Sequence, residues 1–339
     1  MDLGQGDGIL IQSPSGENVV YDGGEEPSAI ANYLQRVGVS GVELVIASHN
    51  HADHIGGLAE IVRRVKPGFY MDNAVPATTL IYRRLLEAVA ASGARLLAPT
   101  ARRISMGKVA LQIVPPPGVA AWDQNDNSVG VVVEYGNFRL WLGGDAESRE
   151  WAWWAEHNGP LLGHVHIYKA SHHGSSSGDT DQALSQLSPG VVIISTGRGN
   201  IYGHPNPAAL RLYARHGATV FRTDLHGTIV VEAQTSGRYT VQVERGEGAR
   251  PPTPALRPAV QPQIAPLPPP QPQGACIDIN TATFEELQRI IQVGPARALQ
   301  IVELRKARPF RSVNELTRVS GIAAGRLGAI LAEGIACVR

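Results

Sequence analysis

The chain has 339 residues and a mass of 36.2 kDa, and its 30 basic residues balance its 30 acidic residues. This length is typical of about two domains, and a hydrophobic content of 43% excludes a wholly disordered protein. With only two cysteines, a small disulfide-rich scaffold is excluded. Because the net charge is zero, only a local basic patch could contact a polyanion. The apolar runs are too short to predict a membrane span.

Residues 1–247 are predicted to form an α/β domain in which helices cover the sheets. Helical patterns occur at 79–93, which a glycine closes, and at 208–217. Short apolar runs end repeatedly in Gly, His or Asp, as in VELVIASHNH, FRLWLGGDA, VHIYKASHHG and VVIISTG. A buried strand brings the polar residues that follow it to one site at its end, so these runs predict a site.

The densest group of metal-ligand side chains follows the run VELVIAS and consists of His49, His51, Asp53 and His54. Imidazole and carboxylate together suit Zn²⁺, Mn²⁺ or Fe. In an extended turn, His49 and His51 can point to one side. Asp53 and His54 follow where the loop starts a helix, and can reach a second position. The alternative is a chance surface cluster, which this density at a strand end disfavours.

Six of the eleven histidines lie in three loop motifs, each after an apolar run. Besides the three in the first loop, these are His172 and His173 in SHHG, and His204 in GHP. Taken alone, the pair has one alternative interpretation, two surface histidines, and His204 has another, a histidine in a turn. Beside the first cluster, all three become candidate ligands.

The motifs DLGQGDG, VVYDGG, HNHADH, NDNSVGVVVEYGNFRLWLGGDAE, ASHHGSSS, YGHPNP and FRTDLHGTI follow one another through residues 1–233. In this order they resemble the metallo-β-lactamase superfamily, and within it the soluble domain of ComEC-type competence proteins. The resemblance implies an αββα sandwich that binds two divalent metal ions, zinc or manganese.

The same resemblance implies a ligand set. His49 and His51 would bind one metal ion, Asp53 and His54 would bind the other, and Asp145 would bridge both.

His172 or His173 would complete the first site, with His173 favoured, and His204 would complete the second. No histidine lies between residues 55 and 144, where the superfamily usually has a ligand. The catalytic residues would be Asp53, His54, Asp145 and His172.

Four further residues are candidates for a supporting role. Asp22 is expected to hold the metal-binding loop by hydrogen bonds. Asn127 and Ser128 lie on a loop that is expected to face the substrate. Lys169, or whichever histidine of the SHHG pair is not a ligand, is a candidate for general acid or for phosphate binding.

Residues 251–272 contain ten of the 24 prolines, and we interpret 248–275 as a linker in extended polyproline II conformation. The alternative is an ordered proline-rich loop on one domain.

Residues 276–339 have an all-helical pattern with two similar segments, LQRIIQVGPARALQIVELR and LTRVSGIAAGRLGAILAEG. With the start INTATFEEL, whose Asn280 or Thr281 is expected to cap the first helix, they resemble the tandem helix-hairpin-helix motifs of ComEA-type DNA receptors. The resemblance implies sequence-independent contact of the hairpins with DNA phosphates, through Gly294, Arg297, Gly321 and Arg326. The alternative is a helical protein-interaction domain.

Cys276 and Cys337 stand at the two ends of this small domain, as a disulfide or as two buried thiols. No charged and then apolar leader precedes the first strand, which leaves open a cytosolic protein or a removed signal. The appended module and the cysteines favour an extracellular or cell-surface protein over a cytoplasmic one.

The sequence therefore predicts a metal-dependent DNA phosphodiesterase, a sequence-nonspecific nuclease that uses a two-metal-activated hydroxide and that the tethered module delivers to DNA. One alternative is a phosphodiesterase on a non-nucleic substrate, similar to phosphorylcholine esterase. Another is a non-catalytic protein for DNA binding or uptake.

Overall fold

A computed structural model describes residues 1–246, 276–287, 290, 292, 293, 295–322 and 324–338. These residues form two compact units, one within residues 1–246 and the other within residues 276–338. The whole of the predicted linker at 248–275 lies outside the described residues, so its conformation stays a prediction. Within the part of the chain that is described, no helix combines the length and hydropathy that a membrane crossing needs.

The first unit alternates strands and helices. Its strands are β1 (Gly8–Gln12), β2 (Asn18–Gly23), β3 (Leu44–Ile46), β4 (Phe69–Met71), β5 (Arg95–Leu97), β6 (Arg102–Met106), β7 (Val109–Val114), β8 (Gly130–Tyr135), β9 (Phe138–Leu142), β10 (Ile167–Lys169), β11 (Val191–Ile194), β12 (Thr219–Arg222), β13 (Ile229–Ala233) and β14 (Tyr239–Val243). Its helices are α1 (Ala29–Arg36), α2 (Ala52–Ile55), α3 (Leu58–Val65), α4 (Leu80–Ser92), α5 (Ser148–His157), α6 (Asp181–Leu187), α7 (Pro207–Arg215) and α8 (Thr223–His226).

Two main sheets face each other, with the strand orders β1-β2-β3-β4-β5 and β12-β11-β10-β9-β8-β7-β6. In the first sheet, β1 and β2 are antiparallel and the pairs from β2 to β5 are parallel. In the second sheet, β6 to β9 are antiparallel and β9 to β12 are parallel. The hairpin β13-β14 packs on buried side chains of the second sheet, such as Phe138 and Phe221.

Side chains alternate between the two faces of each strand, and this alternation builds the layers. Along β2, Val19 and Tyr21 pack between the sheets, whereas Val20 packs against the helices on the outer face. In the second sheet, Val131 faces the other sheet and Val132 faces α5, α6 and α7. The result is four layers, helix–sheet–sheet–helix, which confirms the expected αββα sandwich.

The helices predicted from sequence are α4 and α7. The side chain of Thr79 accepts a hydrogen bond from the Tyr82 amide at the start of α4, and Gly93 ends the helix with φ of 79°. Asn206 caps α7 by accepting from the Ala208 amide.

The second unit contains β15 (Ile277–Asp278), α9 (Phe284–Leu287), α10 (Pro295–Ala307), α11 (Ala324–Glu333) and β16 (Ala336–Cys337). It is helical as predicted, except that β15 and β16 pair in parallel. Cys276 and Cys337 form a disulfide next to this pairing, with their Cα atoms 5.7 Å apart. The buried core is apolar and includes Ile279, Leu287, Ile301, Phe310, Leu316 and Ile330.

The cap of α9 differs from the expectation. Thr283 accepts from the Glu286 amide at 3.1 Å, and the Glu286 carboxylate accepts from the Thr283 amide at 2.8 Å, which is a capping box. Asn280, which was expected to cap, instead exchanges two hydrogen bonds with the backbone of Phe310. Thr281 donates to Asp278.

Candidate metal centre

The first histidine loop follows β3 and is held in place by backbone hydrogen bonds. The Val129 amide donates to the Ser48 carbonyl at 2.8 Å. The amides of His54 and Ile55 donate to the His51 carbonyl, so α2 starts directly after His51. His49 therefore lies in the bend before His51, His51 is extended, and Asp53 and His54 lie in the short helix that the sequence predicted to start there.

Two glycines allow other loops to approach this one closely. A Cβ on Gly6, which has φ of +104°, would lie 1.9 Å from the Asp53 carbonyl oxygen. A Cβ on Gly144, which has φ of +53°, would lie 2.7 Å from the Ser48 Cβ. Only glycine fits both the backbone conformation and the space. Gly144 thereby brings Asp145, which follows β9, against the histidine loop.

The carboxylate of Asp145 is the point on which four imidazoles converge. Its Oδ2 lies 3.2 Å from His54 Nε2, 3.4 Å from His173 Nε2, 3.9 Å from His172 Nε2 and 4.0 Å from His49 Nε2. These histidines follow β3 and β10, whose carboxyl ends open on the same side of the sandwich as that of β9.

The other ring nitrogen of each imidazole contacts an oxygen behind it. His54 Nδ1 lies 2.9 Å from Asp22 Oδ2, and His173 Nδ1 lies 3.0 Å from the Ser195 carbonyl. His172 Nδ1 lies 2.9 Å from Glu147 Oε1. His49 Nδ1 lies 3.0 Å from Ser48 Oγ, which donates its own proton to Asp22.

Each of these oxygens can only accept, so each Nδ1 carries the proton. A neutral imidazole that is protonated at Nδ1 presents a lone pair at Nε2. All four Nε2 atoms therefore lie toward Asp145, and each would present a lone pair there once a cation displaces any proton it carries, which is the arrangement that metal-ligating histidines show.

Two groupings of donor atoms are present around Asp145. Asp53, His54, Asp145 and His173 offer ligand atoms that all lie within 4.8 Å of one another. Beside them, His49 Nε2 and His51 Nδ1 lie 3.0 Å apart. A carboxylate–imidazole set of this kind suits a divalent ion such as zinc or manganese.

Buried atoms without partners support this fit. Among the described residues, His54 Nε2 and Asp145 Oδ1 are buried and accept no hydrogen bond. Buried polar atoms are almost always satisfied, and a bound cation would satisfy both of these.

The charges in the metal-free centre are strongly coupled. Burial lowers the pKa of His54 and of His173, but the carboxylates around them, Asp145 foremost and Asp53 next, together outweigh burial and raise each pKa well above its usual value. Burial raises the pKa of Asp145, but His173 and His54 reverse that effect and hold it well below the usual range. Asp145 thus stays ionised because the two imidazoles balance its charge, and a cation that binds there would replace their protons.

The two histidines of the SHHG motif contact different carboxylates because of an unusual backbone conformation. His172 and His173 both have left-handed φ angles, 48° and 54°, which non-glycine residues rarely adopt. This turn sends His173 to Asp53 Oδ2, at 3.1 Å, and half-buried His172 to Glu147. His173 therefore lies with the group that was predicted for the second metal ion, and not with His49 and His51.

His204 lies at the edge of the centre. Its ring centroid is 5.4 Å from that of His172 and 6.3 Å from that of His173. Among the contacts of the described residues, none is an ion pair between His204 and a carboxylate of the centre. Its assignment as a ligand of the second ion stays a prediction.

Asp22 has the contacts that were expected of a supporting residue. Its carboxylate accepts from the Ser48 amide at 2.7 Å, from the Ser48 hydroxyl at 2.7 Å and from His54 Nδ1. It thereby fixes both the start of the loop and the orientation of one imidazole.

Three other supporting residues are placed differently from the expectation. Asn127 and Ser128 are fully buried and do not face a substrate. The Asn127 side chain bonds the backbone of Val119, and Ser128 Oγ accepts from the Asp145 amide. Lys169 is buried as well, and its ammonium pairs with Asp7 at 2.8 Å, which turns it away from a phosphate.

Sequence reasoning missed two residues of the site, Asp7 and Glu147. Buried Asp7 pairs with Lys169 and lies 3.5 Å from His173 Nδ1, so it supports the SHHG loop from below. Glu147 holds His172 and also accepts from Ser177 Oγ. The one signal for Glu147 was its place two residues after Asp145.

In the second unit, the predicted hairpin arginines lie close together. Arg326 donates to the Gly321 carbonyl at 2.5 Å, and Arg297 donates to the Gln292 carbonyl at 3.0 Å. A Cβ built on Gly321 would lie 3.3 Å from a nitrogen of each guanidinium. Burial and the Arg326 charge lower the pKa of Arg297, which marks a positive site that suits an anion. Gly294 lies outside the described residues.

Comparison with known proteins agrees with this architecture. Residues 1–79 match the metallo-beta-lactamase superfamily, and residues 273–330 match the helix-hairpin-helix motif. Recombination protein 2 of Haemophilus influenzae is 29% identical over 238 residues, which cover 68% of this chain and 28% of that protein. Competence protein ComA of Neisseria gonorrhoeae is 26% identical, covering 67% and 31% respectively.

A deoxyribonuclease of Thioalkalivibrio sp. is 41% identical over 66 residues, which cover 20% of this chain and 18% of that protein. The chain thus spans less than a third of the length of each of these relatives. Together, the fold, the His/Asp centre and these similarities identify a metallo-beta-lactamase superfamily domain followed by a helix-hairpin-helix motif, in a chain whose homologues are competence proteins.

Proposed function

We propose that the first unit is a metal-dependent phosphodiesterase that cleaves DNA without sequence preference, and that the second unit binds the same DNA. The observation that carries this proposal is the convergence of four imidazole Nε2 atoms on Asp145, in a chain that also has a helix-hairpin-helix motif. One relative is named a deoxyribonuclease, which supports DNA as the substrate.

Two divalent ions, zinc or manganese, would be held around Asp145. His49 Nε2 and His51 Nδ1 would hold one ion. Asp53, His54 and His173 would hold the other, with Asp145 against both. Ions bound there supply a nucleophilic hydroxide near neutral pH and neutralise charge on phosphoryl oxygens.

His172 has a different task in this proposal. It is half-buried, its Nδ1 proton is held by Glu147, and its Nε2 faces the centre. Burial lowers the pKa of His172, but the hydrogen bond to Glu147 and the charge of Asp145 raise it overall, which favours a second proton on Nε2. His172 would donate that proton in a hydrogen bond to a non-bridging or leaving oxygen of a phosphodiester in the centre, and so orient it.

The second unit would supply affinity for DNA without reading its sequence. Gly321, Arg297 and Arg326 form one positive surface, and backbone amides together with guanidinium groups are typical phosphate contacts. A tethered binding unit raises the local concentration of substrate at the first unit.

We further propose that the protein works outside the cytoplasm, as an extracellular or cell-surface protein. The Cys276–Cys337 disulfide supports this location, because such bonds persist in oxidising compartments. Mass spectrometry of the protein from cell fractions should find the oxidised form outside the cytoplasm, and a reduced cytoplasmic pool would contradict the location.

The activity test uses the full chain with supercoiled, linear and single-stranded DNA. Cleavage should stop with EDTA and return when Mn²⁺ or Zn²⁺ is added back. Asp145→Asn should lower the cleavage rate by at least about 100-fold, because it removes the carboxylate charge that lies against both proposed metal ions. DNA that is shifted on a gel but never cut would contradict catalysis. Inert DNA with turnover of bis-p-nitrophenyl phosphate would point to a different phosphodiester.

A further inference from the structure

The loop from Gly197 to His204 exposes two large apolar side chains beside the metal centre. Ile201 is 92% exposed and Tyr202 is 61% exposed. On α8, Leu225 is 55% exposed. Apolar side chains grouped on one protein surface often mark a binding site.

Hydrogen bonds hold the base of this loop and thereby anchor its tip beside His204. The Asn200 side chain donates to the His204 carbonyl at 2.7 Å and to Thr196 Oγ1 at 3.1 Å. It also accepts from the His204 amide at 3.0 Å. Gln5 accepts from the Gly197 amide at 3.3 Å.

A series of rings connects the exposed tip with the centre. The Tyr202 ring lies 6.0 Å from the His204 ring, with 27° between their planes. The His204 ring lies 5.4 Å from that of His172, whose Nε2 lies 3.9 Å from Asp145 Oδ2. A planar group that stacks on Tyr202 would therefore lie within a few ring widths of the reacting centre.

A cation stands on the same surface. Arg198 is exposed, and its Nε donates to the Asp224 carbonyl at 3.3 Å, directly before Leu225. We call Arg198, Ile201, Tyr202 and Leu225 the rim patch. Aromatic, apolar and cationic side chains together are what single-stranded nucleic acids bind, because bases stack on rings while phosphates pair with cations.

We propose that Tyr202 stacks on an unpaired base of the substrate next to the scissile phosphodiester, with Arg198 near a neighbouring phosphate. This inference rests on the proposed function and gives it a substrate class, DNA with unpaired bases. In a duplex, both faces of an internal base are covered by its neighbours, so the rim patch favours single strands and frayed ends.

The kinetic test compares two small diesters that do not depend on the second unit. One is thymidine 5′-(p-nitrophenyl phosphate), and the other is methyl p-nitrophenyl phosphate, which has no base. Tyr202→Ala should lower kcat/KM for the first by about 5- to 140-fold, mainly through KM, and leave the second unchanged. Tyr202→Phe should keep the preference for the base.

Leu96→Ala is the matched control. Leu96 is 71% exposed on β5, at the outer edge of the first sheet. Its truncation should therefore leave kcat/KM unchanged for both diesters. An equal loss on both diesters in Tyr202→Ala would mean a structural role for the ring, and no loss on the thymidine diester would mean no contact. Either result overturns the inference.

A second measurement does not require turnover. A single strand that carries 5-iodouracil is irradiated with the full chain, and the crosslinked peptide is mapped by mass spectrometry. We expect a crosslink at Tyr202, and crosslinks confined to residues 276–338 would overturn the inference. Hydrolysis without a base preference or this crosslink would overturn the inference and leave the proposed function standing. The crosslink without hydrolysis would overturn the proposed function and leave only a contact between Tyr202 and a base.

Discussion

Replacing Asp22 by Asn tests whether the residues behind the centre control metal binding. The carboxylate accepts three hydrogen bonds, from the Ser48 amide, the Ser48 hydroxyl and His54 Nδ1. An asparagine keeps one acceptor oxygen, and its amide nitrogen is a donor. It can still accept from the Ser48 amide, but it cannot serve both of the other donors.

The expected magnitude follows from the imidazole tautomer. Without an acceptor behind it, His54 loses the preference for a proton at Nδ1, and the lone pair at Nε2 is no longer fixed toward Asp145. A hydrogen bond to a charged group contributes about 1.5–3 kcal/mol. This agrees with the roughly 10- to 100-fold loss of metal affinity that follows removal of such an outer partner. We expect that loss for Asp22→Asn.

The assay is isothermal titration of Mn²⁺ and Zn²⁺ into metal-stripped full chain, together with urea unfolding of the same protein. Asp72→Asn is the matched control, because Asp72 also accepts three hydrogen bonds, from Ala74, Tyr82 and Tyr70. It should lose stability and keep its metal affinity. Wild-type affinity in Asp22→Asn, or an equal loss in the control, would refute the reasoning.

Substitution or reduction at three places outside the histidine loops gives three further predictions. Burial raises the pKa of Asp179 to about 6, so its ionisation destabilises the fold as pH rises from about 4 through 6. Asp179→Asn should therefore gain up to about 3 kcal/mol relative to wild type between pH 4 and 7 in urea unfolding. Reducing Cys276–Cys337, which are 61 residues apart, should destabilise the second unit by about 4 kcal/mol, as seen by proteolysis. Arg326→Ala should weaken binding to any DNA sequence and reduce the salt slope by about 1, unlike exposed Lys306→Ala, in fluorescence anisotropy.

Each of these outcomes has a clear contrary result. A constant difference between Asp179→Asn and wild type across pH would mean that the buried carboxyl does not ionise in this range. Proteolysis of the second unit at the same rate with and without reductant would mean that the disulfide adds no stability. Equal salt slopes for both charge-removing variants would mean a diffuse field instead of a hairpin contact.

The convergence of the main site residues was predictable because strand ends were visible in the sequence. Apolar runs before His49, Asp145 and His172 placed these residues after β3, β9 and β10. The strands β9 and β10 are parallel neighbours, so their carboxyl ends meet at one edge of the second sheet, and His49 reaches the same place from β3 of the facing sheet. The helical patterns between the runs predicted an α/β domain whose sheets are covered by helices, and the four-layer order came from the family resemblance.

The partition of the SHHG pair was not predictable in this way. It depends on two consecutive residues with left-handed backbone angles, His172 and His173, and no glycine or asparagine marks that conformation at these positions. The prediction of the α9 cap was wrong for a related reason. Asn280, Thr281 and Thr283 are all good caps, and only the contact of Asn280 with Phe310 leaves Thr283 to cap the helix.

The partners behind the imidazoles show why a ligand motif is easier to recognise than its support. A ligand must be one of a few residue types, so His49, His54, His172 and His173 stand out in the sequence. Holding a proton at Nδ1 needs only an accepting oxygen, and this site uses carboxylates, a hydroxyl and the backbone carbonyl of Ser195. A backbone carbonyl leaves no trace in residue identity, and a carboxylate has many other uses. The orientation of the imidazoles therefore depends on contacts that only the folded chain defines.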